Sequence, residues 1–178
     1  ELTWTVTSGT ELAGEKLTLI ISRAAGEDAG TYAIAVGQPE GANENYDITF
    51  VNGTFTISKA ALTVTANAVS KTYGEADPEL TYKVEGLVNG DELTGQLERV
   101  AGENVGAYAV ALGTLTAGDN YTITYTGADF TISKRDVTVT AKDQTIVYGT
   151  EISGAEYTAA GLVEGHTATA TLTPGTAN

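Results

Sequence analysis

The chain has 178 residues, no cysteine, no methionine, a hydrophobic content of 42% and a formal net charge of −14. The missing cysteines exclude disulfides, thiolate metal sites and a cysteine nucleophile, and the acidity repels polyanions, so neither nucleic acid nor anionic lipid is expected as a partner. The apolar content excludes a disordered acidic tail, and no apolar run is long enough to span a membrane.

The abundance of Gly (21 residues) and Thr favours strands and tight turns over helices. Glu1-Leu2-Thr3-Trp4-Thr5-Val6 alternates as a strand, and Lys16 to Ser22 follows as a second. Gly26 to Gly30 reads as a turn, and Thr31-Tyr32-Ala33-Ile34-Ala35-Val36 as a strand. Asn45 to Val51 and Thr54 to Ile57 flank Asn52-Gly53, which predicts a hairpin. Leu62-Thr63-Val64-Thr65-Ala66 is a strand, and Lys71-Thr72-Tyr73-Gly74 with Asp77-Pro78 is a turn region. Further strands are predicted at Glu79 to Val84, Ala107 to Val110 and Val137 to Ala141, and Gly86 to Asp91 leads into the run Leu93 to Val100. Tyr121 to Tyr125 and Phe130 to Ile132 are expected to close as a second hairpin.

The string from Phe55 to Ala66, beginning Phe-Thr-Ile-Ser-Lys, returns from Phe130 to Ala141. At the same offset Tyr73-Gly74 returns as Tyr148-Gly149, and Gly86-Leu87-Val88 as Gly161-Leu162-Val163. One offset shared by separate strings marks a tandem array of small modules. The division read from it is a partial repeat over 1–60 that lacks its first strand, a complete repeat over 61–135, and a partial repeat over 136–178 that lacks its second half. A permuted division, Glu1–Pro78 and Glu79–Gly154, is the alternative. The array and the missing initiator methionine suggest a piece of a longer protein.

No motif carries catalysis. His166, the single histidine, aligns with Asp91 of the complete repeat and reads as an exposed turn residue. The Gly-rich turns precede strands, so they do not cradle phosphate. The acids sit in turns, as Glu27-Asp28, Glu75 with Asp77, and Asp91-Glu92, where solubility and local hydrogen bonding explain them. Neither 74–77 nor 118–120 has the ligand spacing of a calcium loop. Lys16, Lys59, Lys71, Lys83, Lys134 and Lys142 are available for a lysine isopeptide crosslink, but none sits in a context that calls for one. No cofactor and no metal is expected.

Three aligned rings, Trp4, Tyr82 and Tyr157, are candidate ligand contacts, since a ring can stack on a sugar face; packing is the plainer explanation. Tyr32 and Tyr108 follow glycine in a turn-to-strand context like that of a tyrosine corner, and are read as structural. Tyr73 and Tyr148, in the recurring Tyr-Gly turn, are read likewise.

The ordered set Leu-Thr-Val-Thr-Ala, Lys-Thr-Tyr-Gly with Asp-Pro, Gly-Leu-Val-Asn-Gly-Asp, Gly-Glu-Asn-Val-Gly-Ala-Tyr, Asn-Tyr-Thr-Ile-Thr-Tyr and Phe-Thr-Ile-Ser-Lys resembles the MBG/YGX-type repeats. Those occur in tandem in large secreted and surface proteins of bacteria, many of them adhesins. The third copy departs at the Asp-Pro turn, where Ile152-Ser153-Gly154 stands. The resemblance supplies no catalytic residues and implies an extracellular β rod.

The expected fold is all-β, built of tandem small antiparallel sandwiches of the immunoglobulin-like kind. The alternative is a β-grasp-like module with a short helix within 91–100. The expected function is a non-catalytic stalk or spacer of a surface or secreted protein, whose partners are the neighbouring repeats. The alternative is an adhesive module that binds host glycan or protein. The short Phe-Thr-Ile-Ser-Lys connection, with little room to hinge, favours the first.

Overall fold

The computed structural model describes residues 2–3, 5, 14, 16–150, 154, 156–171 and 173. Among the described residues there are twelve strands: β1 (Ile20–Arg23), β2 (Gly30–Gly37), β3 (Gly53–Ile57), β4 (Ala60–Ala66), β5 (Val69–Thr72), β6 (Tyr82–Glu85), β7 (Glu98–Arg99), β8 (Gly106–Ala111), β9 (Tyr121–Thr126), β10 (Ala128–Ser133), β11 (Thr138–Ala141) and β12 (Tyr157–Ala160). No helix occurs among the described residues. The fold is all-β. Residues 91–100, where the β-grasp alternative needs its helix, instead hold a β-bridge from Thr94 to Thr116 and the short strand β7.

Cα packing divides the chain into two compact units. The first comprises Glu1–Val64, Val84–Thr94 and Thr116–Thr124; the second comprises Thr65–Lys83, Gly95–Leu115 and Tyr125–Asn178.

In the first unit β1, β2 and β3 form an antiparallel sheet in that order. Tyr32, Ile34 and Val36 alternate along β2 with the exposed Thr31, Ala33 and Ala35, so one face turns inward. Leu62 and Val64 are fully buried and Tyr121 nearly so. The hairpin expected at Asn52-Gly53 does not form. Asn45 to Val51 makes no strand, and β3 pairs with β2, placing Phe55 opposite Tyr32. A type I′ turn needs positive φ at both central residues, and neither Asn52 nor Gly53 has it. The Asn52 side chain accepts a hydrogen bond from the Val36 amide instead.

In the second unit a four-stranded sheet runs β5-β10-β8-β7, and β11 pairs antiparallel with β12. The buried side chains are Ala66, Lys71, Leu97, Val110, Leu115, Phe130 and Ile132. Two expectations change here. Lys71-Thr72, read as turn, belongs to strand β5, and β5 pairs with β10 in parallel rather than antiparallel. The second expected hairpin is also absent: β10 joins β8 and β5, while β9 lies beside β4 in a separate sheet of order β6-β4-β9. The switch of sheets occurs at Gly127, where an added Cβ would lie 2.9 Å from the Val110 carbonyl oxygen. The Tyr125 hydroxyl donates to that same oxygen at 2.8 Å.

Candidate functional site

One constellation occurs twice with the same internal spacing: Arg23, Gly26, Glu27, Tyr32 and then Arg99, Gly102, Glu103, Tyr108. Arg23 Nη1 donates to the Gly26 carbonyl at 2.6 Å, and Arg99 Nη1 to that of Gly102 at 2.7 Å. Each arginine also pairs with its glutamate, Glu27 or Glu103. The Arg23 guanidinium carbon lies 5.6 Å from the centre of the Tyr32 ring and 4.9 Å from that of Phe55. Arg99 repeats this with Tyr108 at 5.6 Å and Phe130 at 4.7 Å, so both make cation–π contacts.

Each tyrosine then ties back to the turn before its strand. The Tyr32 hydroxyl donates to the Asp28 carbonyl and the Tyr108 hydroxyl to that of Asn104, both at 2.8 Å. The rings lie against Gly26 and Gly102, where a Cβ would come within 2.1 Å of a ring carbon. Sequence reasoning singled out the tyrosines and missed the arginines. The signal was available, because Arg23 and Arg99 recur at the same distance before Gly-Glu.

A second pair of features lies at successive junctions of the repeat. In the first unit a groove of about 120 Å³ is lined by Glu27, Ala29, Val88, Asp91, Asn120 and Tyr121, among others. Asn120 holds the preceding loop: its Oδ1 accepts from the Ala29 amide at 2.7 Å and its Nδ2 donates to Asp28 at 2.9 Å. Tyr121 holds the following turn, donating to Asp91 at 2.7 Å and accepting from the Val88 amide at 3.1 Å. In the second unit a groove of about 230 Å³ is lined by Tyr73, Val105, Lys134, Arg135, Val163 and His166, among others. Val163 and His166 are the third copy's counterparts of Val88 and Asp91, so the two grooves are equivalent places. The Tyr73 and His166 rings are 5.9 Å apart. Gly74, at φ +85°, has the Val163 side chain 2.4 Å from where a Cβ would stand, so the Tyr-Gly turn is a seat for the turn of the next copy.

The MBG domain (YGX type) family matches this chain over residues 1–56 and 62–131. The chain belongs to that family. No curated protein and no solved structure matches it. The Tyr-Gly-x string of the family description is Tyr73-Gly74-Glu75 here, at the turn just described. The MBG family is a non-catalytic type of repeat module that occurs in surface proteins.

In the segment matched over 62–131 the arginine cluster gains two members. Lys71 Nζ lies 2.6 Å from Asp77 Oδ1 and 2.5 Å from Glu103 Oε2, and Arg99 Nε lies 2.6 Å from Asp77 Oδ2. The Lys71 ammonium sits 5.9 Å from the centre of the Phe130 ring. Lys71 is the one charged residue among the buried described side chains, and its two carboxylates are why it can be. Arg99 first, and Lys71 second, hold the Asp77 carboxyl down at about 2. Glu103 is lowered by Lys71 and then Arg99, while hydrogen bonds to Asp77 and Glu103 raise Lys71. Amide crosslinking of a lysine to a carboxyl needs a neutral amine and a protonated acid. Each shift runs the other way, so the quartet works as an ion-paired clamp.

The folded value of Asp77 is depressed, so its stabilisation is present above the ordinary carboxylate value and is lost as pH falls toward about 2. Urea midpoints should therefore drop as pH is lowered from about 4 to about 2, and Asp77→Asn should flatten that limb. The effect is small, because the Asp77 and Glu103 side chains are 41% and 65% exposed and water screens them. An unchanged acid limb in Asp77→Asn would contradict this role.

The other candidate residues are not brought together. Trp4 lies outside the described residues. Tyr82 is half-buried on β6, and Tyr157 is half-buried on β12 with its hydroxyl donating to the Ala168 carbonyl. Tyr148 is fully exposed. His166 is exposed, its amide bonded to the Val163 carbonyl at 3.0 Å. No group of acids and histidine with metal-holding geometry occurs among the described residues.

Proposed function

We propose that this MBG chain is a non-catalytic spacer in a large, extracellular bacterial surface protein, holding other domains away from the cell, with neighbouring repeats as its partners. The observation that supports this best is the use made of the recurring polar residues. Arg23, Arg99, Glu27, Glu103, Tyr32 and Tyr108 spend their donors and acceptors on their own module. The connections agree with it: β3 ends at Ile57 and β4 begins at Ala60, and β10 ends at Ser133 with β11 beginning at Thr138. Chains that short leave little freedom to hinge. A net charge of −14 keeps such an array soluble and away from polyanions.

Small-angle scattering of the purified chain should give an extended particle, and a compact one would overturn the spacer reading. A glycan array with the same protein should stay blank. Specific binding that disappears in Tyr82→Ala and Tyr157→Ala would establish the adhesive alternative instead.

A further inference from the structure

The sheet of the second unit contains a parallel pair whose direction has a mechanical consequence. β5 and β10 run side by side in the register Val69↔Phe130, Ser70↔Thr131, Lys71↔Ile132 and Thr72↔Ser133. The ladder continues one rung further, with the Tyr73 amide donating to the Ser133 carbonyl at 2.9 Å. The chain reaches β5 from its N-terminal end and leaves β10 at its C-terminal end. Because the strands are parallel, those two points lie at opposite ends of the paired segment. Tension that passes through the preceding strand β4, itself held between β6 and β9, then slides β5 against β10, and all rungs carry it together. Antiparallel partners joined by a turn open one rung at a time when pulled from their free ends.

Side chains reinforce the same pair. Lys71 of β5 is ion-paired to Glu103, in the loop before β8, and β8 is the other neighbour of β10. Lys71 and Arg99 both lie over the ring of Phe130 on β10. Phe130 and Ile132 are 0% and 1% exposed, so water does not reach the ladder from that face. The Ser133 hydroxyl adds a bond to the Lys71 carbonyl at 3.3 Å.

We propose that the β5–β10 ladder, strapped by the Lys71–Asp77–Arg99–Glu103 quartet, is a force-bearing clamp that resists extension of the chain. It rests on the spacer reading, since only a tethered spacer is under tension. Forced unfolding is set by the barrier that the pulled bonds present, so direction of pull is the discriminating variable.

The chain has no cysteine, so two introduced thiols define the pulling points without interference. Ala68→Cys with Lys134→Cys pulls β5 and β10 from opposite ends. Ala76→Cys with Lys134→Cys pulls the same strands from one end. All three positions are exposed. In single-molecule force spectroscopy at one loading rate, the first pair should rupture at severalfold higher force than the second. Equal forces, or a higher force in the second geometry, would overturn the clamp. Lys71→Met in the first geometry should lower the rupture force and leave the second geometry nearly unchanged. Should that variant not fold, the two geometries in the native background still decide. Failure here leaves the scattering result untouched, so loss of the clamp and loss of the spacer reading are told apart.

Discussion

Phe130→Ala should lower the unfolding free energy by about 3–5 kcal/mol, the range for deleting a buried ring and leaving its cavity. Phe130 is 0% exposed and lies between Val69 of β5 and Tyr108 of β8 in the ladder register. Its ring also supports two cations, Arg99 at 4.7 Å and Lys71 at 5.9 Å. Truncation removes apolar contact on both sides of β10 and leaves those cations without the ring face. Small modules carry only about 5–15 kcal/mol in total, so this one change takes a large share. Urea unfolding followed by far-ultraviolet circular dichroism measures it. Phe55→Ala, at the half-buried equivalent under Arg23, should cost less. If Phe130→Ala cost no more than Phe55→Ala, Phe130 would not be the centre of its core.

Gly86→Ala is the second large effect. Gly86 has φ +103°, and an added Cβ would stand 2.4 Å from the Ala61 carbonyl oxygen. That oxygen belongs to β4, the central strand of its sheet, so it has little room to give. The left-handed backbone and the collision together should cost about 3 kcal/mol. Gly118→Ala separates the two causes. Its φ is +81° and nothing lies within 4 Å of the new Cβ. Only the conformational cost of about 1 kcal/mol remains there. Gly161→Ala should repeat the Gly86 result, because its Cβ would meet the Asp136 carbonyl oxygen at 2.4 Å. Similar costs at Gly86 and Gly118 would show that the close approach to Ala61 is relieved by backbone movement.

The strands themselves were largely legible. Leu62, Val64 and Ala66 are buried and alternate with the exposed Ala61 and Thr63 and the half-buried Thr65. Phe130 and Ile132 alternate with Thr131 and Ser133 in the same way. Side chains that point to opposite faces every second residue make such runs readable from sequence. The candidate residues were legible in part. Tyr32 and Tyr108 announced themselves through Gly-x-Tyr, whereas Lys71 read only as a turn residue and one of six lysines available for a crosslink. Its two carboxylate partners, Asp77 and Glu103, lie in separate loops, and no local pattern joins them.

The all-β class, the repeat that carries Phe55 onto Phe130, the faces of the strands and the glycine-rich turns are all readable from the residues alone. The class, the faces and the turns depend on neighbours within a few positions, and the repeat shows as recurring strings. Which strand lies beside which is settled by long-range packing once the chain folds. Backbone donors and acceptors are alike in every strand, so the partner is chosen by what packs across the ladder. Phe55 meets Tyr32 across the β2–β3 pair, and that pairing takes β3 away from the run before Asn52-Gly53. Phe130 sits under Arg99 and Lys71, and with it β10 lies beside β5 and β8 instead of β9.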